Sequence, residues 1–198
     1  MPVKPGWTGR VYEDFEVGDV YEHPLGRTIS EADNIWFSAL TMNPNPIHVD
    51  AVYSAQTEFG RPLVNSTFTL ALVTGLSVTD ISQNAINLGW EEVRLPHPVF
   101  VGDTIYARSE VLSKRESKSR PHMGIVRVKT VGYNQDGQVV IELVRAILVY
   151  KRGHVPPHTP HSSGGNDIAG ATIAHRRCPC APERSTSASR NISWRPMP

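Results

Sequence analysis

A chain of 198 residues is long enough for one ordinary folded domain and a tail, and it is short for two domains. Residues 1–153 hold 15 Lys and Arg against 17 Asp and Glu, a net charge of −2, whereas residues 154–198 hold 5 against 2, a net charge of +3. A near-neutral domain gives no electrostatic support to nucleic-acid or membrane-surface binding, and the absence of a signal peptide or long apolar run leads us to expect a cytoplasmic protein.

The first predicted elements lie between residues 19 and 40. Residues 19–29 form a short mixed pattern interrupted by Pro24 and Gly26, which favours an edge strand and a turn. Ser30 and Asp33 then have the spacing of a helix cap, and apolar residues follow at helical intervals. The pattern therefore predicts a helix that begins after Ser30.

Two prolines limit this first helix and lead to a histidine. Pro44 and Pro46 push the residues before them out of the helical region, so His48 is predicted in a stiff loop just past the helix end. A second short helix is predicted from Asp50 to about Thr57, with Asp50 as its cap.

The most apolar helical segment is residues 66–76, which carries small or apolar residues on nearly every face and should be surrounded by protein. Four strand-like runs follow it, at residues 85–95, 103–112, 124–133 and 138–150. Asp136-Gly137 is a strong hairpin signal between the last two runs. One apolar helix followed by antiparallel strands predicts an α+β domain in which a sheet wraps around a central helix.

The chain changes character after Gly153. Residues 154–198 are rich in Pro, Ser, His, Arg and Gly, so we predict a domain at 1–153 and a disordered tail at 154–198. Both cysteines, Cys178 and Cys180, lie in this tail. We therefore expect no disulfide, cysteine nucleophile or cysteine metal ligand in the domain. In the tail, one Cys-x-Cys pair with His175 nearby has too few ligands for a structural zinc site, so we expect no metal site there either.

His48 is the first ionisable side chain after the two prolines, and two interpretations are open. Histidine can accept and return a proton near neutral pH, which suits a general acid/base. Alternatively, His48 satisfies backbone groups of its loop, and the residue pattern alone slightly favours this second role.

Three motifs resemble the MaoC family of (R)-specific enoyl-CoA hydratases and dehydratases. They are Asn45-Pro46-Ile47-His48, the segment at residues 58–62 and the segment at residues 98–104. Residues 41–43 and 61–67 further resemble the mesaconyl-CoA hydratase, β-methylmalyl-CoA dehydratase and itaconyl-CoA hydratase branch. The resemblance implies a hot-dog fold, a homodimer or higher homo-oligomer, His48 as the catalytic acid/base, and no cofactor apart from the coenzyme A of the substrate.

The chain departs from the family motif at one position that matters for catalysis. The motif has Gly-Asp where this chain has Met42-Asn43, and an amide orients water but does not take a proton at neutral pH. His48 would then carry the proton transfers, with Asn43 positioning water. Asp50 and Glu58 are the alternative carboxylates.

The resemblance also implies backbone donors for the thioester oxygen at the start of the central helix, here at Asn65 and Ser66, although both residues could simply cap that helix. A dicarboxylic substrate brings a second carboxylate, for which Arg61 and Arg94 are candidates. Arg61 also suits a structural role or the coenzyme A moiety, and Arg94 also suits a solvated strand face.

These expectations together predict a hydro-lyase acting on an enoyl-CoA, with a branched C5 dicarboxylyl thioester as the expected substrate. A hot-dog thioesterase is one alternative, but it needs a carboxylate in the central helix and residues 66–75 contain none. A non-catalytic acyl-thioester-binding partner subunit is the other alternative, favoured by Asn43.

Overall fold

The computed structural model describes Lys4 and residues 6–157. The helices are α1 (Glu31–Leu40), α2 (Ala51–Ser54) and α3 (Ser66–Leu76), and the strands are β1 (Val20–Glu22), β2 (Arg27–Thr28), β3 (Ala85–Arg94), β4 (Thr104–Glu116), β5 (Met123–Tyr133) and β6 (Val139–Tyr150). Most of the predicted tail lies outside the described residues, so the domain boundary at Gly153 stays a prediction.

The six strands form one antiparallel sheet in the order β1-β4-β5-β6-β3, with β2 also pairing to β4. The predicted hairpin joins β5 to β6, and Gly137 has the positive φ of 75° that such a turn needs. Strand β4 extends beyond its predicted end at Leu112, because β5 continues to pair with it as far as Glu116.

Helix α3 packs against the inner face of the sheet, as predicted. Its buried side chains are Thr69 and Val73, and Val73 lies over Gly132 of β5. A Cβ atom at position 132 would stand 2.6 Å from Val73 Cγ2, so the close approach of helix and sheet requires glycine there. The apolar core therefore lies between α3 and the sheet.

The residues that the structure describes cover the opposite side of α3 only in part. Ala71 and Gly75 are exposed, and Leu72 and Leu76 are only partly buried. The described chain alone thus covers one side of a helix that the sequence predicts to be enclosed. Among the described residues, none of the helices has the length and hydropathy needed to cross a bilayer.

Candidate active site

Helix α1 begins with the predicted cap. Ser30 Oγ accepts a hydrogen bond from the Asp33 N–H at 3.2 Å, and the Asp33 carboxylate accepts one from the Ser30 N–H at 2.8 Å. The hydrogen bond from the Ser30 N–H to the carboxylate is the largest cause of the lowered pKa of Asp33. The reciprocal hydrogen bonds between Ser30 and Asp33 thus define the start of α1.

After α1, two asparagine turns carry the chain to His48. Asn43 Oδ1 accepts a hydrogen bond from the Asn45 N–H at 3.1 Å, and Asn45 Oδ1 accepts one from the Ile47 N–H at 3.2 Å. The second turn opens a 3-10 helix, Pro46–His48. His48 therefore sits in a hydrogen-bonded, half-buried turn and is less exposed than a simple loop position would be.

Met42, just before these turns, has φ of 53°, a left-handed conformation that favours glycine. Its side chain is 88% exposed, so it gains little from packing. We expect Met42→Gly to raise the free energy of unfolding by about 0.5–1 kcal/mol, because the Cβ strain is removed. Urea unfolding measures this change, with Met42→Ala as the control that loses the side chain but keeps Cβ. A Met42→Gly variant no more stable than Met42→Ala would contradict the argument.

The His48 ring is oriented by a backbone carbonyl. His48 Nδ1 lies 3.0 Å from the Leu63 oxygen. Because a carbonyl only accepts hydrogen bonds, Nδ1 carries the proton, and Nε2 of the neutral ring keeps its lone pair. Nε2 makes no hydrogen bond to any residue that the structure describes, so this nitrogen is available as a base.

Asn34 holds the surroundings of His48 together, and the sequence analysis missed it. This residue of α1 is 1% exposed, and its Nδ2 donates to the oxygens of His48 (2.9 Å) and Leu63 (3.0 Å). Its Oδ1 accepts from the Asn65 N–H at 2.8 Å. One buried amide thereby connects α1, the His48 turn and the start of α3. A polar residue on the buried side of α1, four positions before the equally buried Ser38, was the available signal.

Two cavities meet at His48. The first, which we call the Arg61 cavity, has a volume of about 190 Å³ and is lined by His48, Arg61, Asn34 and Glu31 among others. The second, the Ser66 cavity, has a volume of about 460 Å³ and is lined by His48, Ser66, Asn45, Phe59 and the segment 95–99 among others. The structure thus brings three predicted site residues, His48, Arg61 and Ser66, around one turn.

The two predicted backbone donors differ in availability. The Asn65 N–H donates to Asn34 Oδ1 at 2.8 Å, so the structure places this predicted donor in a hydrogen bond within the protein. Asn65 also caps α3, since its Oδ1 accepts from the Thr67 N–H at 3.0 Å. The Ser66 N–H has no acceptor among the described residues and stays the predicted donor.

Two other predicted site residues lie away from these cavities. Asn43 lines neither cavity, its Oδ1 accepts from the Asn45 N–H, and it makes no hydrogen bond to His48 among the described residues. Arg94 also lines neither cavity, and its side chain is 72% exposed and lies 3.8 Å from Glu92. The structure thus does not bring Arg94 together with His48, Arg61 and Ser66. The alternative carboxylate Asp50 caps α2 by accepting from the Tyr53 N–H at 2.9 Å, as expected.

A second histidine forms a buried chain of hydrogen bonds. His23 Nδ1 lies 2.9 Å from Asp80 Oδ2, and His23 Nε2 lies 2.9 Å from Ser109 Oγ. Ser109 is 1% exposed and also bonds Thr130 at 2.8 Å, so a substrate has no access to this serine. The arrangement of Ser109, His23 and Asp80 is therefore structural. The positive charge of the buried Arg145 also acts to lower the pKa of His23.

The burial of His23 predicts how the free energy of unfolding depends on pH. Burial is the largest cause that lowers the pKa of His23 below 6.5, against the opposing effect of Asp80. The folded state therefore binds fewer protons than the unfolded state, so this part of the stability is complete above pH 6.5 and is lost as the pH falls below that value.

We expect the free energy of unfolding to fall less between pH 7.5 and 5.5 in His23→Gln than in the parent, although the variant starts about 1–3 kcal/mol lower through lost hydrogen bonds. Urea unfolding at both pH values gives the comparison. His122→Gln, at an exposed histidine, is the control. An equal pH dependence in His23→Gln and the parent would contradict the assignment.

The sheet wrapped around α3 places this chain in the hot-dog fold class. A conserved hypothetical protein from Mycobacterium tuberculosis with a double hot-dog fold matches with a TM-score of 0.68 at 22% identity, over 88% of this chain and 53% of that chain. The MaoC like domain model matches residues 14–134, and the chain belongs to this family.

This chain is similar to two relatives whose names belong to the branch that its motifs resemble. The chain is 35% identical to mesaconyl-CoA hydratase of Cereibacter sphaeroides, over 75% of this chain and 43% of that protein. It is 34% identical to beta-methylmalyl-CoA dehydratase of Chloroflexus aurantiacus, over 73% of this chain and 41% of that protein. The structure of a putative MaoC domain protein dehydratase from Chloroflexus aurantiacus matches with a TM-score of 0.72 and 31% identity, over 83% of this chain and 46% of that one. The chain thus spans less than half the length of these three relatives.

Proposed function

We propose that this chain catalyses the reversible hydration of an enoyl-CoA thioester, with a branched C5 dicarboxylyl-CoA such as mesaconyl-CoA or itaconyl-CoA as substrate. The observation that carries this proposal is the His48 ring, whose Nδ1 is held by the Leu63 carbonyl while Nε2 is left as a base beside the Ser66 cavity. The names of the two relatives support the choice of reaction and substrate.

In the proposed reaction, His48 Nε2 takes a proton from water as the water oxygen bonds to the β-carbon of the alkene. The π electrons move toward the thioester, and the oxygen that gains negative charge accepts a hydrogen bond from the Ser66 N–H at the positive end of α3. The His48 imidazolium then returns its proton to the α-carbon. Dehydration follows the same steps in reverse, and no cofactor is needed because coenzyme A belongs to the substrate.

His48 carries both proton transfers in this proposal, since Asn43 has no carboxylate. Glu31 is the one acidic residue among the described residues that line either cavity, and it lies on the Arg61 side. We assign it no proton transfer, because the thioester donor Ser66 lies in the other cavity.

We further propose that the chain acts as a cytoplasmic homodimer or higher homo-oligomer. Strand β3 is the last strand of the sheet, and Ile86, Leu88 and Trp90 on it are exposed. The uncovered side of α3 offers further apolar surface. A second copy would supply a second hot-dog unit, and the Mycobacterium tuberculosis protein with a double hot-dog fold shows that two such units occur together. Sedimentation equilibrium tests the assembly, and a monomer at micromolar concentration would contradict it.

Incubation of the purified chain with mesaconyl-CoA, itaconyl-CoA and crotonyl-CoA tests the reaction through loss of the alkene absorbance. A thioesterase would instead release the free coenzyme A thiol, which a thiol reagent detects. A non-catalytic partner subunit would bind these thioesters without changing them. Alkene loss without thiol release is the result we expect, and either of the other two results would overturn the proposal.

A further inference from the structure

A dicarboxylyl substrate requires a group that binds its distal carboxylate, and neither arginine considered from the sequence serves the Ser66 cavity. Arg61 lines the other cavity, and its guanidinium carbon lies 3.9 Å from the centre of the Phe100 ring. Arg94 is exposed and lies beside Glu92. Within the Ser66 cavity, a group other than these two arginines would have to meet the carboxylate.

We propose that His97 binds the distal carboxylate of the substrate and thereby selects dicarboxylyl over monocarboxylyl thioesters. This inference rests on the proposed function, and it concerns the acyl group that the same site accepts. His97 lines the Ser66 cavity together with His48. Among the described residues that line this cavity, these two histidines are the ionisable side chains.

A backbone contact orients the His97 ring as it does that of His48. His97 Nδ1 lies 2.8 Å from the Val139 oxygen at the start of β6. Because that oxygen only accepts, Nδ1 donates, and Nε2 is the nitrogen left for a ligand. In the imidazolium form Nε2–H donates a charge-assisted hydrogen bond to a carboxylate.

The segment that carries His97 is stiff, which suits a residue that recognises one end of a short acyl chain. Pro96 and Pro98 flank it, and both prolines restrict the backbone and line the same cavity. The His97 side chain is solvent-exposed in the single chain, so little reorganisation is needed before a ligand binds. In this proposal His48 transfers the protons at the alkene, and His97 binds the distal carboxylate.

The test compares binding of succinyl-CoA and butyryl-CoA to the full chain by titration calorimetry. Both probes have four acyl carbons and no alkene, and they differ in the distal carboxylate. We expect the parent to prefer succinyl-CoA, and His97→Gln to reduce that preference by about 10- to 100-fold, the range for a hydrogen bond to a charged group. His97→Lys should retain the preference because it keeps a positive charge.

His122→Gln is the matched control, since His122 is exposed and lines neither cavity at His48. The inference is overturned if the parent shows no preference, if His97→Gln keeps the parent's preference, or if His97→Gln weakens both probes equally. Failure of the proposed function appears separately, as absence of hydration by the parent on mesaconyl-CoA and crotonyl-CoA, whatever the binding preference is.

Discussion

Replacing His48 with asparagine is expected to lower hydration turnover by about 10²- to 10⁴-fold, the usual contribution of a general acid/base, while the fold stays intact. The asparagine Nδ2 can donate to the Leu63 oxygen as His48 Nδ1 does in the parent. The variant lacks any counterpart of Nε2, the nitrogen that removes and returns the proton. It therefore keeps the structural contact of the ring and loses only the base.

His48→Ala separates the two roles that the sequence left open. Alanine removes both the base and the contact with Leu63, so we expect the same loss of turnover together with a loss of about 1 kcal/mol in the free energy of unfolding. Steady-state hydration assays and urea unfolding of both variants make the comparison. Near-normal turnover in His48→Asn would mean that His48 only holds its turn, and the mechanism would be wrong.

Local signals in the sequence predicted most of the elements around this site. The Ser30 and Asp33 pair placed the start of α1, apolar spacing placed α3 at residues 66–76, and Asp136-Gly137 placed the last hairpin. Each of these signals depends on residues within a few positions of one another. The family resemblance, borne by short motifs of the same kind, is confirmed by the MaoC match.

Contacts between distant residues were beyond such signals. Asn34 binds groups that lie 14, 29 and 31 positions further along the chain, and helical periodicity does not name those partners. For the same reason the sequence could not show that the Asn65 N–H is occupied. Nor could it place Arg94 away from the cavities, because the face of an exposed strand residue depends on the register of β3 with β6.

Because the Asn65 N–H already donates to Asn34, the second large prediction concerns the backbone N–H of Ser66. Ser66 is the first residue of α3, where proline is tolerated because no intrahelical partner is lost. Asn65 has φ of −57° and ψ of 126°, a conformation compatible with a following proline. Ser66→Pro therefore removes one backbone N–H without an expected loss of stability.

If that N–H stabilises the thioester oxygen in the transition state, Ser66→Pro should lower kcat by about 10²- to 10³-fold, as loss of one such donor does elsewhere, with a smaller effect on KM. Ser66→Ala keeps the N–H and removes the hydroxyl, so its turnover should stay close to that of the parent. Ser66→Val keeps the N–H and adds bulk to the cavity, which controls for the volume of the proline ring. A loss in Ser66→Val as large as in Ser66→Pro would assign the effect to crowding, and normal turnover in Ser66→Pro would show that the oxygen is stabilised by another donor.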